Sequence, residues 1–574
     1  MKIQYIGSFI TLILAVGVLL FSSANKPAEV ADKIIYNAQI FCMEGEDVSA
    51  EAIAIKDGII LALGTNEEVL AYGGSSTVKM DAYGNFLMPG LIEGHGHLLM
   101  MGEALSQLNL ADAKNWQQIV EMVAAEVENK APGQWIIGNS WHQDKWNHQP
   151  DSMQDGYPNH HSLSAVSPDN PVLLYHASYH GLFANEKAMQ LAGINKQTPN
   201  PKGGLIRRDE NGEAIGVFEE TAMGLIRSAY MKEREQWTAK EWIQVKKGWA
   251  VRAQQEAFSY GITSIHELGI PIKDIKLLRA MAASSELDIS IYAMIREPYS
   301  ELQRSAALLP IINEGSTGFT VRTVKAFVDG ALGSYGALLL EPYNDQPETY
   351  GQLVTPFEEL EAMARLCVEK GLQFSVHAIG DSANRIALDI YEAAFEDKSD
   401  LKAARWRIEH AQHLHPNDIP RFGGLGILAS MQGIHCASDA PFVPTRLGEQ
   451  RSEEGAYVWR SLIENGARIN NGTDVPVEAI DPFESLYASV ARKKLGASAA
   501  FFPKQKMTRI EALQSYTINN AYAAFEEFNK GSLKIGKRAD LILLNTNLLV
   551  CGDDEIPSTK VLMTMVGGKI VFEN

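Results

Sequence analysis

Two histidines one residue apart close the run Met88-Pro89-Gly90-Leu91-Ile92-Glu93-Gly94-His95-Gly96-His97. Side chains alternate faces along a strand, so residues two apart project together. At a strand end His95 and His97 would present two imidazoles to one point, as a chelated metal ion requires. Alone, the pair fits two hydrogen-bonded loop histidines equally well. A metal reading needs further ligands from elsewhere in the chain, and elements that bring them here.

Those elements read as two kinds. From Lys33 to Phe86, and again near the C-terminus, short apolar runs such as Ala52–Ile55, Ile59–Leu63, Ala539–Leu544, Val561–Val566 and Lys569–Phe572 are separated by turns, among them Lys56-Asp57-Gly58 and Gly567-Gly568. Neither terminal piece has enough strands to stand alone, so residues 31–86 and 530–574 are expected to form one small composite β-sandwich. Between them, strands alternate with helices, the pattern of a parallel sheet. The candidate strands are Phe86–Met88 running toward His95, Gly261–His266, Ile289–Met294, Val321–Phe327, Leu372–His377, Trp406–His410, Ile427–Met431 and Ala467–Asn471. Eight such strands match a (β/α)8 TIM-like barrel over residues 87–529. Phe357–Glu369 and Ala383–Phe395 have the apolar spacing of covering helices. The gap between the first and second strands is too long for one crossover. The stretch at about 110–235, with strand-like Trp135–Gly138 and Pro171–Tyr175, reads as an insertion over the barrel mouth.

Composition narrows the partners. With 574 residues and 46% hydrophobic content the chain can bury a large core, and a net charge of −19 opposes nucleic acid and anionic surfaces. Cys42, Cys367, Cys436 and Cys551 lie far apart, which argues against a disulfide scaffold or a zinc ribbon. Residues 1–24 read as an export signal: Lys2, the charge-free Ile6–Phe21, then Ser22-Ser23-Ala24. Ile6–Phe21 is shorter than the roughly 20 residues that span a membrane comfortably. A periplasmic or secreted location is expected, with an uncleaved N-terminal anchor as the alternative and the only membrane contact.

Four candidate strands end in ligand-type residues: the His95/His97 pair, His377, His410, and Asp474 in Asn471-Gly472-Thr473-Asp474. Strand C-termini of a barrel converge on one mouth, so a metal site of imidazoles and a carboxylate becomes the favoured reading; zinc suits it, as do manganese, iron and nickel. The motifs also carry a resemblance. Pro89–His97, Gly216-Val217-Phe218-Glu219-Glu220, Val324-Lys325-Ala326-Phe327-Val328-Asp329-Gly330, Val376-His377-Ala378-Ile379-Gly380-Asp381, Arg407-Ile408-Glu409-His410-Ala411-Gln412, Gly472-Thr473-Asp474-Val475-Pro476 and Gly536-Lys537-Arg538-Ala539-Asp540 occur in this order. In them the mature chain resembles the amidohydrolase superfamily, specifically the amidohydrolase-3 branch that includes YtcJ-like proteins and N-substituted formamide deformylase.

The resemblance implies a site of one or two divalent ions, zinc the expected one. His95, His97 and Asp474 would hold one ion, His377 and His410 the other, and a carboxylated Lys325 would join them. An ordinary ammonium has donors and no acceptor, so Lys325 could ligate only after such a modification. Glu220 is an alternative bridging carboxylate, a substrate contact or a helix-terminal acid. His180 and Trp141 match substrate-side positions, with a surface histidine and a core tryptophan as plain alternatives. His435 and Asp439 follow the seventh strand and are placed to line the pocket. Gly433 stands where the family often has proline, and Glu93 where many relatives have aspartate. His266 ends the second strand, where it could reach the site or simply be packed.

A metal ion lowers the pKa of its water from 15.7 toward roughly 7. Asp474 is the expected proton acceptor and donor. The expected function is hydrolysis of a non-peptide C–N bond in an amide, formamide or cyclic imide, by attack of a metal-activated hydroxide on a small-molecule substrate. The alternatives are deamination of a small heterocycle and a catalytically silent binding protein on the same scaffold. A homo-oligomer is an open alternative to a monomer.

Overall fold

The computed structural model describes residues 29–574 except 45–48, 111–112, 142, 144–145, 151–152, 155, 177–180, 202–203 and 396–397. The expected export signal and His180 therefore lie outside the described residues, as does the side chain of Glu220. Among the described residues, no helix is long and apolar enough to cross a membrane.

Both chain ends contribute to one six-stranded sheet, in the order Lys569–Glu573, Val561–Val566, Leu541–Leu544, Phe86–Pro89, Gln39–Phe41, Ser49–Ala50. A four-stranded sheet accompanies it, built from Ile59–Gly64, Ala52–Lys56, Lys33–Tyr36 and Val78–Asp81. Ile35, Ile53, Leu87, Leu541 and Met565 share one buried apolar cluster, so neither end of the chain completes its core without the other.

The barrel strands are β1 (Leu91–Gly96), β2 (Ile262–Ile270), β3 (Ser290–Ile295), β4 (Phe319–Phe327), β5 (Gln373–Ala378), β6 (Arg407–His410), β7 (Leu428–Gln432) and β8 (Ile469–Gly472). They pair in parallel in strict sequence order, giving a nearly closed eight-stranded barrel. The expected first strand is corrected here. Phe86–Pro89 pairs antiparallel with Leu541–Leu544 in the composite sheet, and the chain crosses into β1 only after Gly90. A Cβ at Gly90 would fall 2.3 Å from Thr263 Cγ2 on β2, so only glycine lets the chain pass from one sheet to the other at this point.

The seam between β8 and β1 has no regular ladder. Asn520 Nδ2 bonds the carbonyls of Ile92 (2.6 Å) and Asn471 (2.8 Å), while Asp474 N–H donates to His95 O (2.7 Å) and His97 N–H to Val475 O (2.9 Å). Gly472 sits in this seam, where a Cβ would lie 2.2 Å from Glu93 Oε1 and 2.4 Å from His95 N. Gly472→Ala must push β8 away from β1, an overpacking that costs about 1–3 kcal/mol. The variant is expected to melt at lower temperature and to bind less divalent metal, checked by thermal unfolding and elemental analysis of the purified protein.

Helix Phe357–Lys370 buries Leu360, Met363, Ala364 and Cys367 along one stripe and stops at Gly371, whose φ of 62° is left-handed. Helix Asp381–Ala394 follows β5. The insertion has its own six-stranded sheet, in the order Gly204–Arg208, Ala214–Glu220, Gly181–Ala184, Val172–His176, Ile136–Trp141, Leu108–Asn109. The expected pieces near 135 and 171 are two of these strands.

Candidate metal centre

The barrel interior is layered, and its lower layers are polar. Inward-facing Tyr292, Thr323 and Gln373 hydrogen-bond one another, with Tyr292 OH to Thr323 Oγ1 at 2.7 Å and Thr323 Oγ1 to Gln373 Oε1 at 2.8 Å. One layer up, Arg407 and Glu409 share a face of β6 by strand alternation and form a fully buried ion pair, Nε to Oε1 2.7 Å. Arg407 also donates to Gly94 O (2.9 Å) and Ser430 Oγ (2.6 Å), and its Nη1 meets His266 Nδ1 at 3.0 Å. His266 is thus packed within β2, which continues to Ile270, and it does not end the strand.

Above this layer the ligand-type residues meet. Asp474 Oδ1 lies 3.2 Å from His97 Nε2 and 3.4 Å from His95 Nε2. The ring of His410 stands 4.7 Å from that of His95 and 4.4 Å from that of His377. Single ligand atoms of His95, His410 and Asp474 all lie within 4.8 Å of one another. His410 (φ 74°) and Asp474 (φ 62°) both hold left-handed backbone, a conformation unfavourable for side-chain-bearing residues and concentrated at functional sites. Lys325 is buried on β4, lines the same cavity of about 430 Å³, and has no ion-pair partner among the described residues. Burial pushes its amine down to about 8, against the pull of Glu409 and Asp474.

The hydrogen bonds behind the rings fix their tautomers. His95 Nδ1 faces Glu409 Oε2 at 2.6 Å and His410 Nδ1 faces Gln432 Oε1 at 2.8 Å. Both partners are acceptors, so each Nδ1 carries the proton and each Nε2 keeps its lone pair. Burial holds the His95, His377 and His410 imidazoles below their ordinary range, His377 at about 3, so they stay neutral. His377 Nε2 is buried without a hydrogen-bond partner among the described residues. Burial would raise the Asp474 carboxyl, but His95, His97, His410 and His435 hold it well below the usual carboxylate range. Neutral imidazoles with free lone pairs, around an ionised carboxylate, are what a divalent ion takes as ligands, so these residues fit one.

Other carboxylates position the ligand segments. Glu93 accepts from the backbone of His95 (3.0 Å) and Thr473 (2.8 Å), tying the first motif to the last; burial pushes its carboxyl up to about 8. Asp329 accepts the backbone N–H groups of Leu338, Ile379 and Gly380 and lies 3.6 Å from His377 Nε2. Glu267, on β2, accepts from the N–H of Leu98 just past the histidine pair. Glu409, Asp329 and Glu267 have no role in the sequence reading. For Glu409 the signal is the alternation Arg407-Ile408-Glu409, which puts cation and anion on one face.

His435 and Asp439 line the cavity. Trp141 does not join them. Its indole is buried in the insertion core and donates to Leu174 O at 2.9 Å, packed against Trp146 and Phe183.

A (β/α)8 barrel that gathers histidines and an aspartate at the C-terminal ends of its strands is the architecture of the metal-dependent hydrolases. Residues 79–572 match the model of the Amidohydrolase family, and the chain belongs to that family, in its amidohydrolase-3 branch. It is 33% identical to Protein LONG AFTER FAR-RED 3 of Arabidopsis thaliana, over 95% of this chain and 92% of that one. It is 28% identical to N-substituted formamide deformylase of Arthrobacter pascens, over 95% of this chain and 99% of that one. A solved structure of an uncharacterized metal-dependent hydrolase from Pyrococcus furiosus superposes with a TM-score of 0.70 at 27% identity, covering 90% of this chain and all of the other. The chain is a hydrolase of this family.

Proposed function

We propose that the protein is an exported hydrolase of a non-peptide C–N bond, in an amide, formamide or cyclic imide. The observation that carries this is the convergence of His95, His410 and Asp474 ligand atoms within 4.8 Å at the barrel mouth. The similarity to a formamide deformylase over nearly the whole chain supports the bond type. In this reading His95, His97 and Asp474 would hold one divalent ion and His377 and His410 a second, with Lys325 as its carbamate a further ligand; zinc suits the donor set. Residues 1–24 are the export signal, and the insertion near 110–235 shapes the substrate. When bound, the metal supplies a Lewis acid and an acidified water.

The chain's own residues do the remaining work. Asp474 turns Oδ1 to His95 and His97, while its Oδ2 lies 4.0 Å from His435 Nε2. Oδ2 takes the proton from the attacking water and returns it to the leaving nitrogen. Gln412 Nε2 donates to His435 Nδ1 at 3.1 Å, which leaves the His435 proton on Nε2. That N–H has no hydrogen-bond partner among the described residues and is the proposed donor to the substrate carbonyl oxygen. Purified protein should contain divalent metal and release amines from a panel of N-substituted formamides, amides and cyclic imides. Ammonia release from heterocycles alone would move the reading to a deaminase. Activity and metal content unchanged in His95→Ala would overturn it.

A further inference from the structure

A second cavity meets the ligand centre at His97. It holds about 630 Å³ against about 430 Å³ for the ligand cavity, and His97 lines both. Its walls come from helix Leu98–Ala104 after the histidine pair, the end of β2, and helix Ala239–Ser259, which leads into β2. On that last helix Trp242, Lys246 and Trp249 recur at intervals of four and three residues, so they share one face, with Ile243 beside them. The Arg234 guanidinium stands 4.7 Å from the Trp242 ring and 5.6 Å from the Trp249 ring, which fixes both indoles. The charges of the lining are paired with one another. Arg234 meets Glu103 at 2.8 Å and Lys246 meets Asp274 at 2.6 Å, while Glu267 accepts from Leu98 N–H. Lys273 alone has no partner among the described residues, and it is exposed. What remains is apolar: Leu99, Met100, Trp242, Ile243, Ile270 and Leu277, with Met100 54% and Ile243 44% exposed.

We propose that this cleft is the arm of the substrate site that holds an alkyl chain, so that the substrate is an acyl-nitrogen compound with a long, uncharged hydrocarbon group. This rests on the ligand centre being where the C–N bond is cut. The cavity has the size of a small-molecule site and is about four times the roughly 150 Å³ that accommodates one benzene ring. A single ring would leave most of it unfilled, whereas a flexible chain can follow the open wall that Met100 and Ile243 make. With its charges already paired, the cleft offers a charged group nothing to replace its water and selects against one. The apolar area it leaves open is what the chain covers, and each methylene removed from water adds to binding.

The test uses metal-loaded protein and the straight-chain alcohols 1-butanol, 1-hexanol and 1-octanol, with benzyl alcohol as the single-ring probe. None has a C–N bond, so calorimetry reads binding without turnover. Affinity should rise at least about twofold per added methylene, against about fourfold for complete burial, and 1-octanol should bind more tightly than benzyl alcohol. Ile243→Asp and Met100→Glu, both at exposed positions, should each flatten the series at unchanged metal content. Val550→Asp, which removes an exposed apolar side chain elsewhere, should leave the series intact. With N-alkylformamides as substrates, kcat/KM should climb with chain length in wild type and stay level in Ile243→Asp. A flat alcohol series, no binding, tighter binding of benzyl alcohol, a rise that survives both cleft variants, or chain-independent hydrolysis would overturn the arm. A dimer that Ile243→Asp dissociates would assign the cleft to a second copy and overturn it as well. Chain-dependent alcohol binding in a protein that hydrolyses no C–N bond would sink the proposed reaction and leave the alkyl cleft standing.

Discussion

Asp474→Asn is expected to lower kcat by about 10²- to 10⁴-fold, the range for loss of a positioned proton-transfer group. Asparagine keeps the shape and an acceptor oxygen toward His95 and His97, so the seam between β8 and β1 should hold. What it loses is the basicity of Oδ2 and the negative charge that balances a bound cation. Single-turnover kinetics on samples matched for metal content separate the two: a fall in rate at equal metal is the proton-transfer loss. A variant that keeps more than a tenth of the wild-type rate would exclude Asp474 as the proton carrier.

The second large effect lies under the ligands. Glu409→Gln leaves Arg407 as a fully buried, uncompensated cation and is expected to cost about 3–5 kcal/mol of stability. It also exchanges the carboxylate acceptor of His95 Nδ1 for an amide, and loss of such a partner typically weakens metal binding 10- to 100-fold. The double variant Arg407→Met/Glu409→Gln should recover part of the stability and none of the metal affinity. Burial opposes ionisation of Glu409, but Arg407 and His95 outweigh it and hold the carboxyl well below its ordinary range. A carboxyl depressed in the fold contributes stability above its unfolded pKa and loses it as pH falls through the folded value. The gap between wild type and Glu409→Gln in denaturant unfolding should therefore be full at neutral pH and close only in strong acid. A gap that is constant with pH would show that Glu409 is not ionised in the fold.

Much of this architecture is legible along the chain, because local rules decide it. Strand ends that carry His377 and His410 follow from short apolar runs closed by polar residues, and the alternation of strands and helices fixes the parallel order. The rules fail where the deciding contact is distant. Phe86 to Gly96 reads as one run toward His95, yet the partner of Phe86–Pro89 is Leu541–Leu544, and only pairing reveals the break at Gly90. His266 reads as a strand end because the apolar run stops there, while the ladder with β3 carries β2 on to Ile270. The backbone cradle around Asp329 joins the loop after β4 to the loop after β5 and leaves no local pattern. Trp141 is a large aromatic in an insertion, and which neighbours enclose it depends on how six short strands assemble.

The seam closed by Asn520 has a consequence for the order of events in the life of the chain. His95 and His97 belong to the first barrel strand and Asp474 follows the last, and the glutamate that ties them, Glu93, reaches across the same gap. A nascent chain carries the two histidines from early in synthesis but cannot pair them with the aspartate until nearly the whole barrel has emerged. Closing so long a loop is entropically costly, and contacts of such sequence separation form late. Metal acquisition is therefore coupled to the final stage of folding. A chain stalled before Ile469 carries all four candidate ligand histidines but lacks Asp474 and the closing strand, so divalent ions should accelerate the last refolding phase and leave the earlier ones unchanged.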